Sequence, residues 1–164
     1  MPTRLTVTQS YDATPAAVFA LFADRAFVEG RVQQSGGIDP QVVSLDSTPD
    51  GLTIVTRQGI PASVLPSMVS QMMKDDPVTE RTEQWRADGD GYVADFSVSV
   101  KGAPASLKGT MTLRPAGAGS ELAVDGSATV PIPIFGAKIE QVIADQVREL
   151  LEEEQTYTRE RLAS

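Results

Sequence analysis

Residues 134–162 read IFGAKIEQVIADQVRELLEEEQTYTRERL, and the spacing of their apolar members decides the fold. Phe135, Ile139, Val142, Ile143, Val147, Leu150, Leu151, Tyr157, Thr158 and Leu162 recur at steps that stack on one side of an α-helix. Neither Gly nor Pro interrupts the run after Gly136, so the spacing predicts one helix from Gly136 to Leu162, roughly 40 Å long. A stripe this apolar needs a surface of matching length. Burying about ten such side chains at roughly 1.5 to 3 kcal/mol each would contribute on the order of 20 kcal/mol before entropy, which makes the helix essential to the fold.

The residues before it supply that surface. Thr3 to Tyr11 places Leu5, Val7, Gln9 and Tyr11 on one side of a half-buried strand. Thr14 before Pro15 signals a capped helix carrying Val18, Phe19, Leu21 and Phe22. Asp24 opens a second short helix with Ala26, Phe27, Val28 and Val32, ended by Ser35-Gly36-Gly37. Strand periodicity then takes over in Gln41–Ser47 and Leu52–Gln58, joined by Pro49-Asp50-Gly51. Residues 60–74 break the pattern and read as a short helix or irregular wall. Strands follow at Val78–Arg86, Tyr92–Lys101, Ala105–Arg114 and Glu121–Val130, with short Gly- and Pro-containing joins. Short joins favour antiparallel neighbours, hence a meander. Parity sets Tyr92, Ala94, Phe96, Val98 and Val100 on one face, and Leu107, Gly109, Met111 and Leu113 likewise. The sheet is therefore one-sided, and the long helix is expected to cover its inner face because the two short helices cannot.

The chain has 164 residues, 41% of them hydrophobic, which suits one domain over residues 1–164. Its formal charge of −8 disfavours nucleic acid and anionic bilayers as partners. With no Cys and no His, thiolate and imidazole chemistry are excluded, and no metal or other cofactor is expected. The N-terminus alternates polar and apolar residues, unlike a signal peptide, and no stretch reaches transmembrane length; a cytoplasmic location without stable membrane insertion is expected. Gly89-Asp90-Gly91 carries the letters of a dinucleotide fingerprint but leads into a strand, so it reads as a hairpin turn.

The order of elements, an α+β arrangement of strand, two short helices, six further strands and a long C-terminal helix, resembles the helix-grip fold of the START-like, or Bet v 1-like (SRPBCC), superfamily. Within it the chain is similar to an actinobacterial family, DUF2505, through four motifs. These are Thr14-Pro15-Ala16-Ala17-Val18-Phe19, Thr82-Glu83-Gln84-Trp85, Lys101-Gly102-Ala103-Pro104, and the run Val130-Pro131-Ile132-Pro133-Ile134-Phe135-Gly136-Ala137-Lys138-Ile139-Glu140. The resemblance implies a curved antiparallel sheet of about seven strands wrapped around the long helix. It also implies a hydrophobic pocket between them, of the kind that holds lipids, sterols, hormones or polyketides in other members. It transfers no catalytic residue.

The candidate lining combines three sources. Leu65, Met68 and Met72 come from the methionine-rich wall, where flexible thioethers suit either a core filler or a lid. Trp85, Tyr92, Phe96 and Met111 come from the strands, Trp85 reading first as a packing residue. Phe135, Ile139, Glu140, Ile143 and Val147 come from the long helix. On that helix Glu154 falls near the middle of the stripe, Glu140 and Gln146 near its edges. The simpler reading has Glu140 capping or pairing with an Arg and Glu154 lying beyond the sheet in water. The functional reading makes one of them a polar anchor, with Arg57, Arg81 or Tyr92 as partner. The leading expectation is thus a non-catalytic binder of a lipid, isoprenoid or polyketide. A cyclase- or hydrolase-type enzyme with a buried carboxylate and an interaction module with a filled interior are the alternatives.

Overall fold

A computed structural model describes residues 2–35, 37–61, 67–71 and 76–164, with only the backbone of residues 68 and 69. The elements are β1 (Thr3–Tyr11), α1 (Pro15–Phe22), α2 (Arg25–Gln34), β2 (Ile38–Thr48), β3 (Gly51–Gly59), α3 (Ser67–Gln71), β4 (Val78–Asp88), β5 (Gly91–Val100), β6 (Ser106–Ala116), β7 (Gly119–Thr129) and α4 (Gly136–Ala163). Local chemistry explains the first helices. The Thr14 hydroxyl accepts from Ala17 N ahead of Pro15, and the Asp24 carboxylate accepts from Ala26 N, so both starts are capped by the residues that announce them.

The seven strands form one curved antiparallel sheet in the order β1-β7-β6-β5-β4-β3-β2. Six successive strands make the meander, and β1 closes onto β7 to finish the sheet. Register aligns the inward side chains in rows across the strands. One row runs Leu52, Trp85, Ala94, Met111, Val124 and Val7; the next runs Ile54, Glu83, Phe96, Gly109, Gly126 and Leu5; a third runs Thr56, Arg81, Val98, Leu107, Ala128 and Thr3. The two glycines in the middle row face each other: a Cβ on Gly109 would run into the β7 backbone at Asp125 and Gly126, and the space over Gly126 is taken by the Phe96 ring. A Cβ on Gly126 would sit 3.0 Å from Phe96 Cζ and 3.1 Å from Leu107 Cδ2.

With this the helix-grip architecture is established, with two adjustments to the expected packing. The sheet is not covered by α4 alone: Val18, Phe22, Phe27 and Val28 of α1 and α2 are fully part of the core beside Trp85. Nor does α4 bury its whole stripe. Ile139, Ala144 and Leu151 are its buried apolar side chains, while Ile143, Val147, Tyr157 and Leu162 are half-buried. The reason is position: α4 approaches β1, β7 and α2 most closely, so part of its stripe stands off β3–β5. Its contribution is accordingly smaller than the full-stripe figure, on the order of 10 kcal/mol before entropy.

The two sheet edges differ. In β2 the pairing with β3 shifts register between Ile38 and Gln41 and again between Val42 and Ser44, around Pro40 and an Asp39 at φ 47°. At the opposite end of the chain, the Pro131–Phe135 link into α4 leaves Ile134 at φ 72° and 92% exposed. That is strained geometry for a β-branched residue.

Two substitutions separate these features. Leu151→Ala, in the buried part of α4, should lose about 3 kcal/mol in urea unfolding. Ile134→Gly should instead gain about 1 kcal/mol, because relief of the left-handed strain exceeds the added freedom of the unfolded chain.

Candidate functional site

Where α4 stands off the sheet there is a cavity of about 240 Å³. Thr56, Gln58, Thr79 and Arg81 line it from β3 and β4, and Phe96, Val98 and Met111 from β5 and β6. Val32 of α2, its C-cap Ser35, and Gln146, Val147, Leu150, Leu151 and Glu154 of α4 complete the lining with Ile60 and Pro61. The exposed carboxylates Glu149 and Glu153 stand at the opening. Its apolar side chains are aliphatic apart from Phe96 and Met111, in keeping with the low aromatic content of 5%, and polar side chains are as numerous in the lining.

One wall of the cavity is charged. Alternation along β4 turns Arg81, Glu83 and Trp85 to the same inner face. The Glu83 carboxylate is 1% exposed and receives Arg31 Nη2 from α2 at 3.2 Å and the Trp85 indole Nε1–H at 3.0 Å. Arg81 Nε lies 3.2 Å from the same carboxylate, and Arg81 Nη1 donates to Glu154 of α4 at 2.6 Å. The Arg31 guanidinium also lies over the Phe22 and Phe27 rings, 5.7 and 5.8 Å from their centroids. Beside this group the Tyr11 hydroxyl donates to Gln9, whose amide donates to Leu151 O at 2.8 Å, tying β1 to α4.

The environment sets the charge states. Burial pushes the Glu83 carboxyl up, but the charges of Arg81 and Arg31, with the Trp85 and Arg31 hydrogen bonds, outweigh it and hold the group below its ordinary value. Burial opposes the charge of Arg81, yet Glu154 and Glu83 more than compensate and raise its pKa. The Tyr11 phenol is pushed up to about 12, chiefly by burial and then by the charge of Glu154. All three therefore keep fixed protonation states near neutral pH.

The candidate lining residues are distributed as follows. Phe96, Met111 and Val147 face the cavity. Trp85 packs 5.5 Å from Phe22 and edge-on to Phe19, and Tyr92 stacks on Phe19 at 4.0 Å, both under α1 rather than against the cavity. Ile139 is buried near the start of α4, Ile143 packs against the core, and Phe135 is exposed. Glu140 accepts from Thr3 Oγ1 and from Val130 N, so it caps the turn into α4. Leu65, Met72 and the Met68 side chain lie outside the described residues, and with them the lid reading of residues 60–74.

Glu154 corrects the simpler expectation: it is 13% exposed and paired with Arg81 rather than lying in water beyond the sheet. Arg31 escaped the sequence reading altogether, and Glu83 entered it only within the motif Thr82-Glu83-Gln84-Trp85, not as a site residue. The signal for Glu83 was its parity with Trp85, since a buried tryptophan two residues on places the carboxylate on the same face. Nothing in α2 alone marks Arg31 as inward.

Comparison with known proteins places this geometry. The model of a family described as "Protein of unknown function (DUF2505)" matches residues 6–162. Uncharacterised proteins of Mycobacterium tuberculosis and Mycobacterium bovis are 28% identical over 96% of this chain and 95% of theirs. The crystal structure of TTHA0849 from Thermus thermophilus superposes with a TM-score of 0.63 at 17% identity, covering 95% of this chain and 97% of that one. A Streptomyces aromatase/cyclase, Zhui, gives a TM-score of 0.63 at 9% identity, covering 98% and 93% of the two chains. These similarities at low identity concern the SRPBCC-type fold.

Glu83→Gln should destabilise the protein by about 3–5 kcal/mol at pH 7 in urea unfolding, because it leaves two buried guanidinium groups without their shared anion. Since the Glu83 pKa is lowered by folding, its contribution is present above the ordinary carboxylate value and disappears as pH falls through the folded value. The difference between wild type and variant should therefore narrow below about pH 4.

Proposed function

The chain belongs to the DUF2505 family, and from that premise and the space between sheet and helix we propose that it binds a small, mainly apolar molecule. The observation that carries this reading is the 240 Å³ cavity, to which Phe96, Val98 and Met111 on the strand side and Val147, Leu150 and Leu151 on the helix side contribute apolar surface. An apolar cavity of about 150 Å³ holds one benzene, so this one has room for on the order of ten carbon atoms. A medium-length acyl chain, a single isoprenoid unit pair or a two-ring compound meets that size. The charged wall gives the space an orientation, apolar at Phe96, Val98 and Val147 and polar at Arg81 and Glu154.

A second reading, catalysis of the cyclase type, has support in the fold likeness to an aromatase/cyclase. The charge states favour binding over it. Glu83 is held ionised between two arginines and is a weak base there, and Tyr11 keeps its proton to about pH 12, so neither is tuned for proton transfer near neutrality.

Native mass spectrometry and solvent extraction of the purified protein should reveal a bound small molecule. Butylbenzene, which matches the cavity in size, should shift the NMR signals of Val98, Met111 and Val147. Val147→Trp should fill the space and weaken butylbenzene at least tenfold while the circular dichroism spectrum stays native. An empty protein whose cavity signals ignore butylbenzene would overturn the proposal.

A further inference from the structure

The charged wall also specifies the head of the ligand. Thr56 and Arg81 are direct cross-strand partners on β3 and β4, so their side chains stand together on the inner face, and both line the cavity. Gln146 lines it from α4. These three side chains carry hydrogen-bonding groups without a full set of partners. A guanidinium has five N–H donors, and that of Arg81 makes one aligned hydrogen bond, to Glu154; its Nε, though near Glu83, makes none. Thr56 is 7% exposed, and neither its hydroxyl nor the Gln146 amide makes a hydrogen bond among the described residues. An oxygen atom placed between them would accept from groups that a hydrocarbon leaves bare.

Charge decides which oxygen. Arg31 and Arg81 are balanced one for one by Glu83 and Glu154 in the linked group. Outside it, Glu149 and Glu153 at the opening form no ion pair among the described residues. A carboxylate head entering this site would lose its water and meet no net positive charge, and it would pass two anions on the way. An ammonium head could reach the acceptor oxygens of Thr56 and Gln146, but it would leave the free Arg81 donors unanswered and set a second cation against that guanidinium. We propose that the cavity selects an apolar molecule ending in one uncharged oxygen acceptor, a ketone, ester carbonyl or alcohol, and discriminates against the carboxylate of the same shape. This rests on the binding reading above and extends it from size to chemistry.

Three probes of nearly equal shape isolate the head group: butylbenzene, benzylacetone and hydrocinnamate, which end in methyl, methyl ketone and carboxylate. Binding of each to the full chain at pH 7.5 is measured by titration with NMR detection at Val98 and Val147. Benzylacetone should bind about tenfold more tightly than either of the others, the value of one hydrogen bond from a charged donor. Thr56→Val and Gln146→Leu, which remove hydroxyl and amide without touching the ion pairs, should each weaken benzylacetone several-fold and leave butylbenzene unchanged. Hydrocinnamate binding as tightly as the ketone would overturn the charge argument. Benzylacetone no tighter than butylbenzene, or indifferent to both substitutions, would overturn the head-group assignment while leaving the cavity a binding site. Failure of all three probes to bind would overturn that reading as well.

Discussion

A carboxylate with almost no access to water has to be answered by cations, and in this protein the answer to Glu83 comes from three directions. Arg31 reaches it from α2, Arg81 from the same strand, and Trp85 donates from two residues along. Arg81 then hands the connection to Glu154 on α4. Both layers that cover the sheet are thus tied to one point on β4. Such a group is weak evidence for net stability, because removing four charged side chains from water opposes most of what their attraction returns. What it does fix is alignment. A slip of β4 by one residue would turn Arg81 and Glu83 to the solvent face together, and no neighbouring register restores the contacts.

The same group explains why the interior is not filled. An Arg–Glu pair spanning from strand to helix is longer than two interdigitated aliphatic side chains, so it holds α4 away from β3–β5 while Gln9 and the Glu140 cap keep it against β1 and β7. The helix is therefore close on one side and raised on the other. The cavity is the wedge that results, and its polar wall and its existence have a common cause.

The architecture was legible in the sequence because periodicity is local. The Gly136 start of α4, the Thr14 and Asp24 caps and the strand span Thr3–Tyr11 follow from spacing and capping chemistry within a few residues. The cavity was legible only in part. Strand parity and helix stripe identify which side chains point inward, but not which of them meet a neighbour and which meet a gap. Tyr92 points inward and is taken by Phe19, whereas Phe96, four residues on, reaches the open space. Glu154 looked stranded because its partner is 73 residues away in sequence, and Arg31 lies 52 residues from Glu83. Contacts of that separation are decided by the fold and have no local signature.

The sheet curves without closing, so among the described residues β2 has no strand partner on its outer side, and it carries the exposed Val43 there. Such a border is a template on which a second chain can add a strand, the first step of fibril growth. The two register shifts and Pro40 break that template into pieces too short and too twisted to match a straight partner. An irregularity that looks like poor pairing thus acts as a safeguard for solubility, and straightening β2 would trade a tidier ladder for a sticky rim.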